Sequence, residues 1–587
     1  MLHSIHSGRD RPRADQGRTS GVGPGRTRST TGIGRAAVGP AELARSGGGA
    51  RRSRPHPGRD RPVDPHWCSG AARGRRGVRE SVGRGDRRRR WLADRWLRGG
   101  AALLAGALPA LAFPEPSLWW PAYGALVPWL LLVRVAETGR RAALDGWLGG
   151  AGFMLAMHHW LLPSLHVFLF VLAALLGLLW APWGWLVRRL LGGVPGPGRV
   201  AAALVLVPSG WLLVELVRSW EYLGGPWGLL GASQWQVAPA LRVASVGGVW
   251  LLSLLIVAVN TALAALIAVP APRTAAVAVT GVAVCGATVG SVWLWAPVPE
   301  RAGTMRVAVV QPGVIPPYQQ RFDRGAELTR GLAGRDLDLV VWGESSVGHD
   351  LVTRPDLQRR LAGLSREVGA ELLVNVDARR SDRPGIFKSS VLVGPAGATG
   401  QRYDKMRLVP FGEYVPFRSL LGWATSVGKA ANEDRRRGEA PTVMTLPGGL
   451  RLGPLVCFES AFPDMSRRLA RDGAQLLIAQ SATSTFQDSW APEQHASLAA
   501  LRSAETWRPM VHATLTGQSA VFGPRGEPVG ERLGTDRSAA AVYTVPLARG
   551  SSPYLRFGDW PVHGALIAVG VFCAAEGARA LRRRPRP

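Results

Sequence analysis

Three short runs in this chain, two of them apolar, each lead to a side chain able to react. Glu344 follows DLVVWG, Lys405 follows GQRYD and Cys457 follows GPLV. Runs of that kind, bounded by turn residues, are expected to be strands. A strand end is where a rigid sheet hands a side chain to the loops around a site. A carboxylate, an ammonium and a thiol together can carry out acyl transfer. The thiolate attacks a carbonyl carbon. The carboxylate takes the thiol proton and later handles the proton of the incoming group. The ammonium faces the oxyanion of the tetrahedral intermediate. Each residue also has a purely structural reading. A lone buried cysteine usually packs, Glu344 fits a surface acid at a strand end, and Lys405 fits a solvated face shared with Arg402 and Arg407.

The lysine is informative in its own right. Of 71 lysines and arginines only three are lysine, namely Lys388, Lys405 and Lys429. An ammonium is a compact charge that approaches a single oxygen closely, whereas guanidinium is a planar fork suited to carboxylate or phosphate. A site that needs a small charge keeps lysine where the rest of the chain has arginine. No comparable role is evident for Lys388 or Lys429.

The elements that must hold these groups lie in a hydrophilic stretch from about 303 to 548. Strands are expected over 305–312, 338–345, 371–378, 389–397, 452–460 and 475–482, several of them buried on both faces. Helices ended by glycine are expected over 355–369 and 463–473. The pattern is that of an α/β or α+β sandwich. Four cysteines, Cys68, Cys285, Cys457 and Cys573, make no disulfide framework and no zinc-ligand spacing. Only Cys457 lies in the sandwich.

On either side of that stretch the composition changes. The chain has 587 residues, is 47% hydrophobic and carries a formal charge of +30, which agree if apolar spans and basic segments are separate regions. Apolar runs of near bilayer-crossing length are expected at 98–114, 117–134, 145–163, 165–187, 200–218, 246–269, 274–295 and 561–580. Twenty-three tryptophans against seven tyrosines suit a protein with indole rings at the headgroup level. Basic and non-basic loops alternate through the first five runs, which places the N-terminus in the cytoplasm and the 303–548 domain outside. The tail ALRRRPRP then fits a cytoplasmic end. Residues 1–90 hold 22 arginines and seven acids with no apolar periodicity, so a disordered, solvated tail is expected over 1–95 rather than a nucleic-acid arm. A cleaved signal peptide is not expected. The resulting division is a tail over 1–95, seven spans within 96–297, a domain over 303–548 and an eighth span with a basic tail over 558–587.

KMRLVPFGEYVP (405–416), VVWGES around Glu344 and VCFES around Cys457 resemble the nitrilase, or carbon–nitrogen hydrolase, superfamily. With seven spans before them and one after, the chain resembles the apolipoprotein N-acyltransferase family over about residues 98–580. PEQH (492–495), the Arg502, Glu505 and Arg508 helix, ELVR (215–218) and GGPWG (224–228) extend the likeness. The resemblance implies an αββα sandwich with Glu344 as general base, Lys405 as transition-state stabiliser and Cys457 as nucleophile. It also implies two supporting acids, Glu413 and Glu459. A carboxylate near Lys405 orients it and keeps it charged, although Glu413 also fits a turn-capping acid. In a continuous strand over 452–460, Glu459 shares a face with Cys457. Three positions depart from the family pattern. Gly343 replaces a proline, Phe458 replaces a tyrosine, and ATSTF (482–486) replaces an Asn-Asp-x-Trp-Phe loop, with Thr485 for its tryptophan.

The expected activity is a two-step acyl transfer in the bacterial plasma membrane. Cys457 takes a fatty acyl chain from a membrane phospholipid as a thioester and passes it to the α-amine of a diacylglyceryl-cysteine at the N-terminus of an apolipoprotein. No metal or organic cofactor is implied. The partners implied are the phospholipid donor, the lipoprotein acceptor and the bilayer, and no nucleic acid. Two alternatives stay open at this point: a membrane-tethered amidase that uses water as acceptor, and a catalytically weak paralogue that binds lipoproteins.

Overall fold

Prolines decide how the first part of the chain folds. The computed structural model of the protein describes residues 94–422 and 433–582. The expected tail up to residue 93, Lys429 and the last five residues lie outside them. Residues 94–107 are helical. Pro109, Pro114, Pro116 and Pro121 then interrupt the backbone, which runs through 3-10 turns at Leu108–Ala112 and Trp120–Tyr123 before a helix resumes at Val127–Arg134. Proline lacks the N–H that a continuing helix needs and crowds the preceding turn. The segments 98–114 and 117–134 are therefore not single crossing helices.

Gly139–His158 follows, with Asp145 fully buried and ion-paired to Arg98 and Arg141, each at 2.8 Å. Among the described residues four helices are long and apolar enough to cross a membrane: Pro197–Arg218, Ala238–Ala268, Pro272–Trp295 and Trp560–Arg582. Phe168–Gly177 and Trp180–Leu191, bent by 40°, make a fifth if counted as one span. Eight were expected from hydropathy, which does not register where proline and glycine break the backbone. The clearest break is inside Ala238–Ala268. Gly248 takes a φ of 67°, and a Cβ on it would stand 2.5 Å from the Tyr554 ring. The helix restarts at Val249, whose N–H donates to Glu505 Oε1 at 2.8 Å.

The second part is a four-layer αββα sandwich. One sheet has the order β11-β1-β2-β3-β4-β5, with β1 Glu300–Gln311, β2 Leu339–Trp342, β3 Glu371–Arg379, β4 Ile386–Gly394, β5 Gly397–Asp404 and β11 Ala539–Arg549. The other has the order β10-β9-β8-β7-β6, with β6 Met444–Thr445, β7 Arg451–Val456, β8 Leu476–Ser481, β9 Met510–Thr514 and β10 Ala520–Phe522. β1, β2 and β3 run parallel, as do β7, β8 and β9, and the outer strands pair antiparallel.

Strand alternation sorts the core into layers. Val307 and Val309 point inward with Leu339 and Val341 to meet Leu452, Val456 and Ile478 of the other sheet. Ala308 and Val310 point outward, against helices Tyr318–Arg330 and Pro355–Val368. Both faces of β1 are thus covered, which is why its sequence is a continuous apolar run. The outer helices of the second sheet, Pro463–Arg471 and Ala491–Thr506, share one buried cluster with the helices of the first part. The sandwich therefore rests on the apolar helices through its second sheet.

Arg502 and Glu505, flagged in the sequence, form the rivet of that contact. Both are buried, and Arg502 donates to Glu505 Oε1 and to Ala461 O, each at 3.0 Å. Glu505→Ala removes the acceptor for Val249 and leaves the Arg502 guanidinium buried without its counter-charge. The expected loss is about 3–5 kcal/mol, seen as a lower melting temperature of the detergent-solubilised protein. Glu576→Ala, which breaks only surface pairs with Arg189 and Arg579, leaves the melting temperature unchanged.

Candidate active site

The two sheets meet at residue 344. β2 stops at Trp342, and the Glu344 N–H donates to Ser481 O at the end of β8 at 3.1 Å. Gly343 lies against the chain beyond β9, where a Cβ would come within 1.9 Å of Leu515 N. Glycine at this position is therefore a condition of the close approach, and the proline of the family pattern has no room. The Glu344 side chain is buried.

Four charges alternate around that carboxylate. Glu344 Oε1 accepts from Lys388 Nζ at 2.8 Å and from Lys405 Nζ at 3.2 Å. Glu413 Oε1 accepts from Lys405 Nζ at 2.8 Å and lies 3.2 Å from Lys388 Nζ. Lys405 is 1% exposed, which removes the reading as a solvated face shared with Arg402 and Arg407. Glu413 touches both the lysine and its own turn, because its second oxygen accepts the Val409 N–H at 2.8 Å. Lys388 was given no role by the sequence. Its only signal there was its identity as one of three lysines in an arginine-rich chain.

Cys457 comes to this group from the second sheet. β7 ends at Val456 and residues Cys457–Ala461 turn as a 3-10 helix, so the strand expected over 452–460 ends four residues early. Cys457 has φ of 53°, a left-handed backbone that a non-glycine residue adopts only when its surroundings enforce it. His495 enforces it from below. Its Nε2 lies 3.0 Å from both Cys457 O and Ser460 Oγ, and its Nδ1 3.1 Å from Ser481 Oγ. His495 was noticed in the PEQH segment only as a likeness, and its contact with the thiol's own carbonyl was not legible.

The early strand end also corrects the reading of Glu459. Strand alternation does not apply to a 3-10 turn, and the carboxylate faces backbone donors. Val456 N–H donates to Oε2 at 2.7 Å, and Oε1 takes Met406 N–H at 2.7 Å, Arg407 N–H at 3.0 Å and Tyr403 O–H at 2.7 Å. Those last three donors flank Lys405. Glu459 thus ties the lysine segment to the turn that carries the thiol.

Electrostatics follow from this packing. Burial alone would raise the Glu344 carboxyl, but Lys388 and then Lys405 hold it well below the usual carboxylate range. A hydrogen bond with Cys457 acts in the same direction. Glu413 is depressed against its own burial by Lys405 and Lys388. Burial first, and then the Glu344 charge, push the Cys457 thiol up to about 11, with Lys405 opposing. Burial drives His495 down to about 4, so it is a neutral ring at pH 7. At rest the proton is on sulfur, the two carboxylates are ionised and the two lysines are charged. Such a group can move the thiol proton to Glu344 as sulfur attacks, and can offer ammonium to a developing oxyanion.

The turn that follows the thiol runs into the seam with the apolar helices. Glu344, Lys405 and Glu413 are nearly sealed, while Cys457 is half-buried. Phe458 and Phe462 pack edge to face at 4.9 Å. They lie beneath Gly225, which has φ of 70° and where a Cβ would come within 2.6 Å of Phe458. Trp227 Nε1 donates to Gln494 Oε1 at 2.7 Å, and Gln494 Nε2 donates to Pro114 O at 2.8 Å. In the altered 482–486 loop, Phe486 meets the Trp160 ring at 4.8 Å and Thr485 is exposed.

Two family descriptions match the chain. Apolipoprotein N-acyltransferase N-terminal domain covers residues 105–262, and Carbon-nitrogen hydrolase covers residues 306–552. A protein named apolipoprotein N-acyltransferase from Geobacter metallireducens is 30% identical over 502 residues, covering 80% of this chain and 94% of its own. Those of Azotobacter vinelandii and Pseudomonas aeruginosa are 31% and 29% identical over 535 and 529 residues, each covering 85% of this chain and 99% of its own. Among solved structures, an amidase from Nesterenkonia sp. is 21% identical, covers 46% of this chain and 98% of its own, and aligns with a TM-score of 0.32.

Two outcomes follow from the site. Gly343→Pro, although it restores the family residue, collides with Leu515 and lowers both melting temperature and activity. Alkylation of Cys457 by iodoacetamide rises about tenfold per pH unit from pH 7 upward, with no plateau below about pH 10, because only the thiolate reacts. Intact-mass kinetics measure it, with Cys457→Ala as the blank.

Proposed function

The chain belongs to the apolipoprotein N-acyltransferase family, and we propose that Cys457 carries a fatty acyl group from a phospholipid to the N-terminal amine of a lipoprotein. Cys457 is the nucleophile, Glu344 the general base and Lys405 the oxyanion partner, with Glu413 and Glu459 in support. As sulfur attacks the ester carbonyl, its proton passes to Glu344 Oε. Collapse of the tetrahedral intermediate breaks the ester C–O bond, and Glu344 returns the proton to the departing lysophospholipid alkoxide. The α-amine of the diacylglyceryl-cysteine then attacks the thioester and gives a proton to Glu344. The C–S bond breaks, the thiolate is reprotonated and an amide leaves. A thioester suits the middle of this sequence, since sulfur is both a strong nucleophile and a competent leaving group for an amine.

The single observation behind this reading is the place of the thiol. It is partly exposed beside the buried Glu344, Lys405 and Glu413, and the turn that it opens, with Phe458 and Phe462, packs into the cluster shared with the apolar helices. Exposed Trp119, Trp120, Trp220 and Tyr222 lie at the ends of those helices, where amphipathic rings suit a headgroup interface. Both substrates are anchored in lipid, so holding the site against the bilayer raises encounter and orients the acyl chain.

The topology proposed is eight crossings, with the domain over 303–548 extracytoplasmic and both termini cytoplasmic. Arg189 at the end of Trp180–Leu191 pairs with Glu576 near the end of Trp560–Arg582 at 2.9 Å, so these two helices finish on one side. Arg134, Arg188 and Arg199 cluster there too, around Gly192 and Gly193. An arginine-rich end opposite the sandwich is what a cytoplasmic face carries.

Mass spectrometry of lipoprotein N-termini from cells with and without this gene tests the reading. N-acylated cysteine is expected only with the gene, and only when Cys457 is intact. Intact-mass analysis of purified protein with phospholipid should show one acyl adduct on the wild type, none on Cys457→Ala, and formation slowed by about a hundredfold or more in Glu344→Gln. An adduct that ends as free fatty acid would identify a water-using amidase-like enzyme instead, and no adduct at all a binding protein.

A further inference from the structure

The second lysine at the site is unaccounted for by a Glu–Lys–Cys mechanism. Lys388 and Lys405 come from neighbouring antiparallel strands. Ser389 of β4 pairs with Asp404 of β5, and one step further the Lys405 N–H donates to Lys388 O at 2.8 Å. The two side chains are therefore cross-strand neighbours on one face. Like charges directly opposite each other destabilise a sheet, and here Lys405 is sealed and Lys388 is only 13% exposed. They persist because Glu344 and Glu413 stand between them, each touching both ammonium groups. Two cations and two carboxylates then make a closed, electroneutral array. Without Lys388 it would hold one net negative charge beside the thiol.

We propose that Lys388 is a positioning residue of the acyl-transfer reaction, which clamps one oxygen of Glu344 so that the carboxylate stays ionised and turned toward Cys457, and which frees Lys405 from being the sole counter-charge of two carboxylates. The inference rests on the acyl-transfer reading above. Lys388 makes the closer contact with Glu344 and Lys405 the closer contact with Glu413. With Glu344 held in this way, Lys405 keeps a donor for the oxyanion. Lys388 is itself anchored on its far side, where Asp377 Oδ2 lies 3.8 Å from Nζ. Asp377 is paired across β3 and β4 with Lys388, receives Ser345 O–H at 3.1 Å, and faces Arg435 at 3.5 Å. Arg321, held on Ser345 O at 3.0 Å, is the nearby cation from helix Tyr318–Arg330. The remaining titratable neighbours are Glu459, His495 and the thiol itself.

The sign of the pH effect follows from the array. Lys388 and Lys405 keep Glu344 and Glu413 below the usual carboxylate range, so the base stays ionised down to acid pH. The two acids share both lysines and titrate as a unit. Removing one ammonium raises that unit, so activity is lost at a higher pH. The experiment is formation of the acyl-Cys457 adduct by detergent-solubilised full-length protein with a labelled phospholipid, followed by intact mass from pH 4 to 8. Wild type should be flat across most of that range. Lys388→Met should be slower at pH 7 by about tenfold or more with an unchanged donor KM, and should lose activity at a higher pH than the wild type. Lys388→Arg keeps the charge, so its acid limb should stay with the wild type even though the bulkier fork slows the step. If Lys388→Met does not fold, Lys388→Gln carries the same expectation. A limb that moves in the arginine variant as well, or in none of the variants, overturns the proposal, as does a neutral variant with wild-type rate. A wild type that forms no adduct overturns the acyl-transfer reading itself, which the variants alone do not.

Discussion

The alternation of two lysines with two glutamates is the interaction on which the rest of the sandwich depends. Taking an ion out of water costs several kcal/mol even after relaxation, and a buried pair repays that only with close geometry and further hydrogen bonds. Here Glu344, Lys405 and Glu413 are nearly sealed, so the array has to be complete to be tolerated. Its four members come from four places: the end of β2, the start of β4, the end of β5 and the turn around residue 413. Each segment must therefore arrive in register for any of the charges to be paired. The thiol is a fifth member, set against the array by a turn from the opposite sheet. Reactivity and fold specificity are thus secured by the same contacts.

Much of this was legible in the sequence, and the rest failed for identifiable reasons. Strand ends could be read from apolar runs bounded by turn residues at Glu344 and Cys457, whereas β5, which leads to Lys405, is polar and was not among the expected strands. The sandwich could be read too, because strands buried on both faces have no polar alternation. Lys388 could not be found in that way. Its place depends on the antiparallel register between β4 and β5, which is a pairing between segments and leaves no trace in either one. Glu459 was misplaced for a related reason. Alternation was extended past Val456 into residues that look strand-like, whereas the left-handed Cys457 ends the strand and turns the acid onto backbone donors. In the apolar part, hydropathy located the helices but was blind to their breaks. Prolines between 109 and 121 and the Gly247–Gly248 pair divide runs that look continuous on average.

Glu505 shows why such a break matters to a site far from it in sequence. A helix restarting inside an apolar layer exposes N–H groups that nothing nearby can satisfy. Here the acceptor comes from the sandwich, and it is a carboxylate. That same carboxylate accepts from Arg502, which in turn holds Ala461 O at the end of the cysteine turn. Burial raises the Glu505 carboxyl to about 7, with Arg502 and the Val249 N–H opposing, so its hold on the helix is poised near neutrality. The broken helix and the cysteine turn are consequently two ends of one short chain of hydrogen bonds.

The departures from the family pattern divide along the same line. Gly343 lies on the array's side of the thiol, and its packing admits no other residue, so the neighbouring Thr514–Leu515 backbone has closed over the space a proline ring would need. Phe458 and the 482–486 loop lie on the other side, toward the helices. Phe458 has no hydroxyl to place and is instead held as an apolar wedge between Phe462 and Gly225. The loop is tied to Thr516 by the Thr483 N–H and the Ser484 hydroxyl, and keeps one aromatic contact through Phe486 and Trp160. Exposed Thr485 offers a small polar surface where the family has an indole. On the acyl-transfer reading proposed above, changes on the helix-facing side would alter which acyl chain and which acceptor approach the sulfur without touching the four charges beside it. Variation in substrate and constancy in chemistry are compatible in this fold because the thiol sits on the boundary between the two regions.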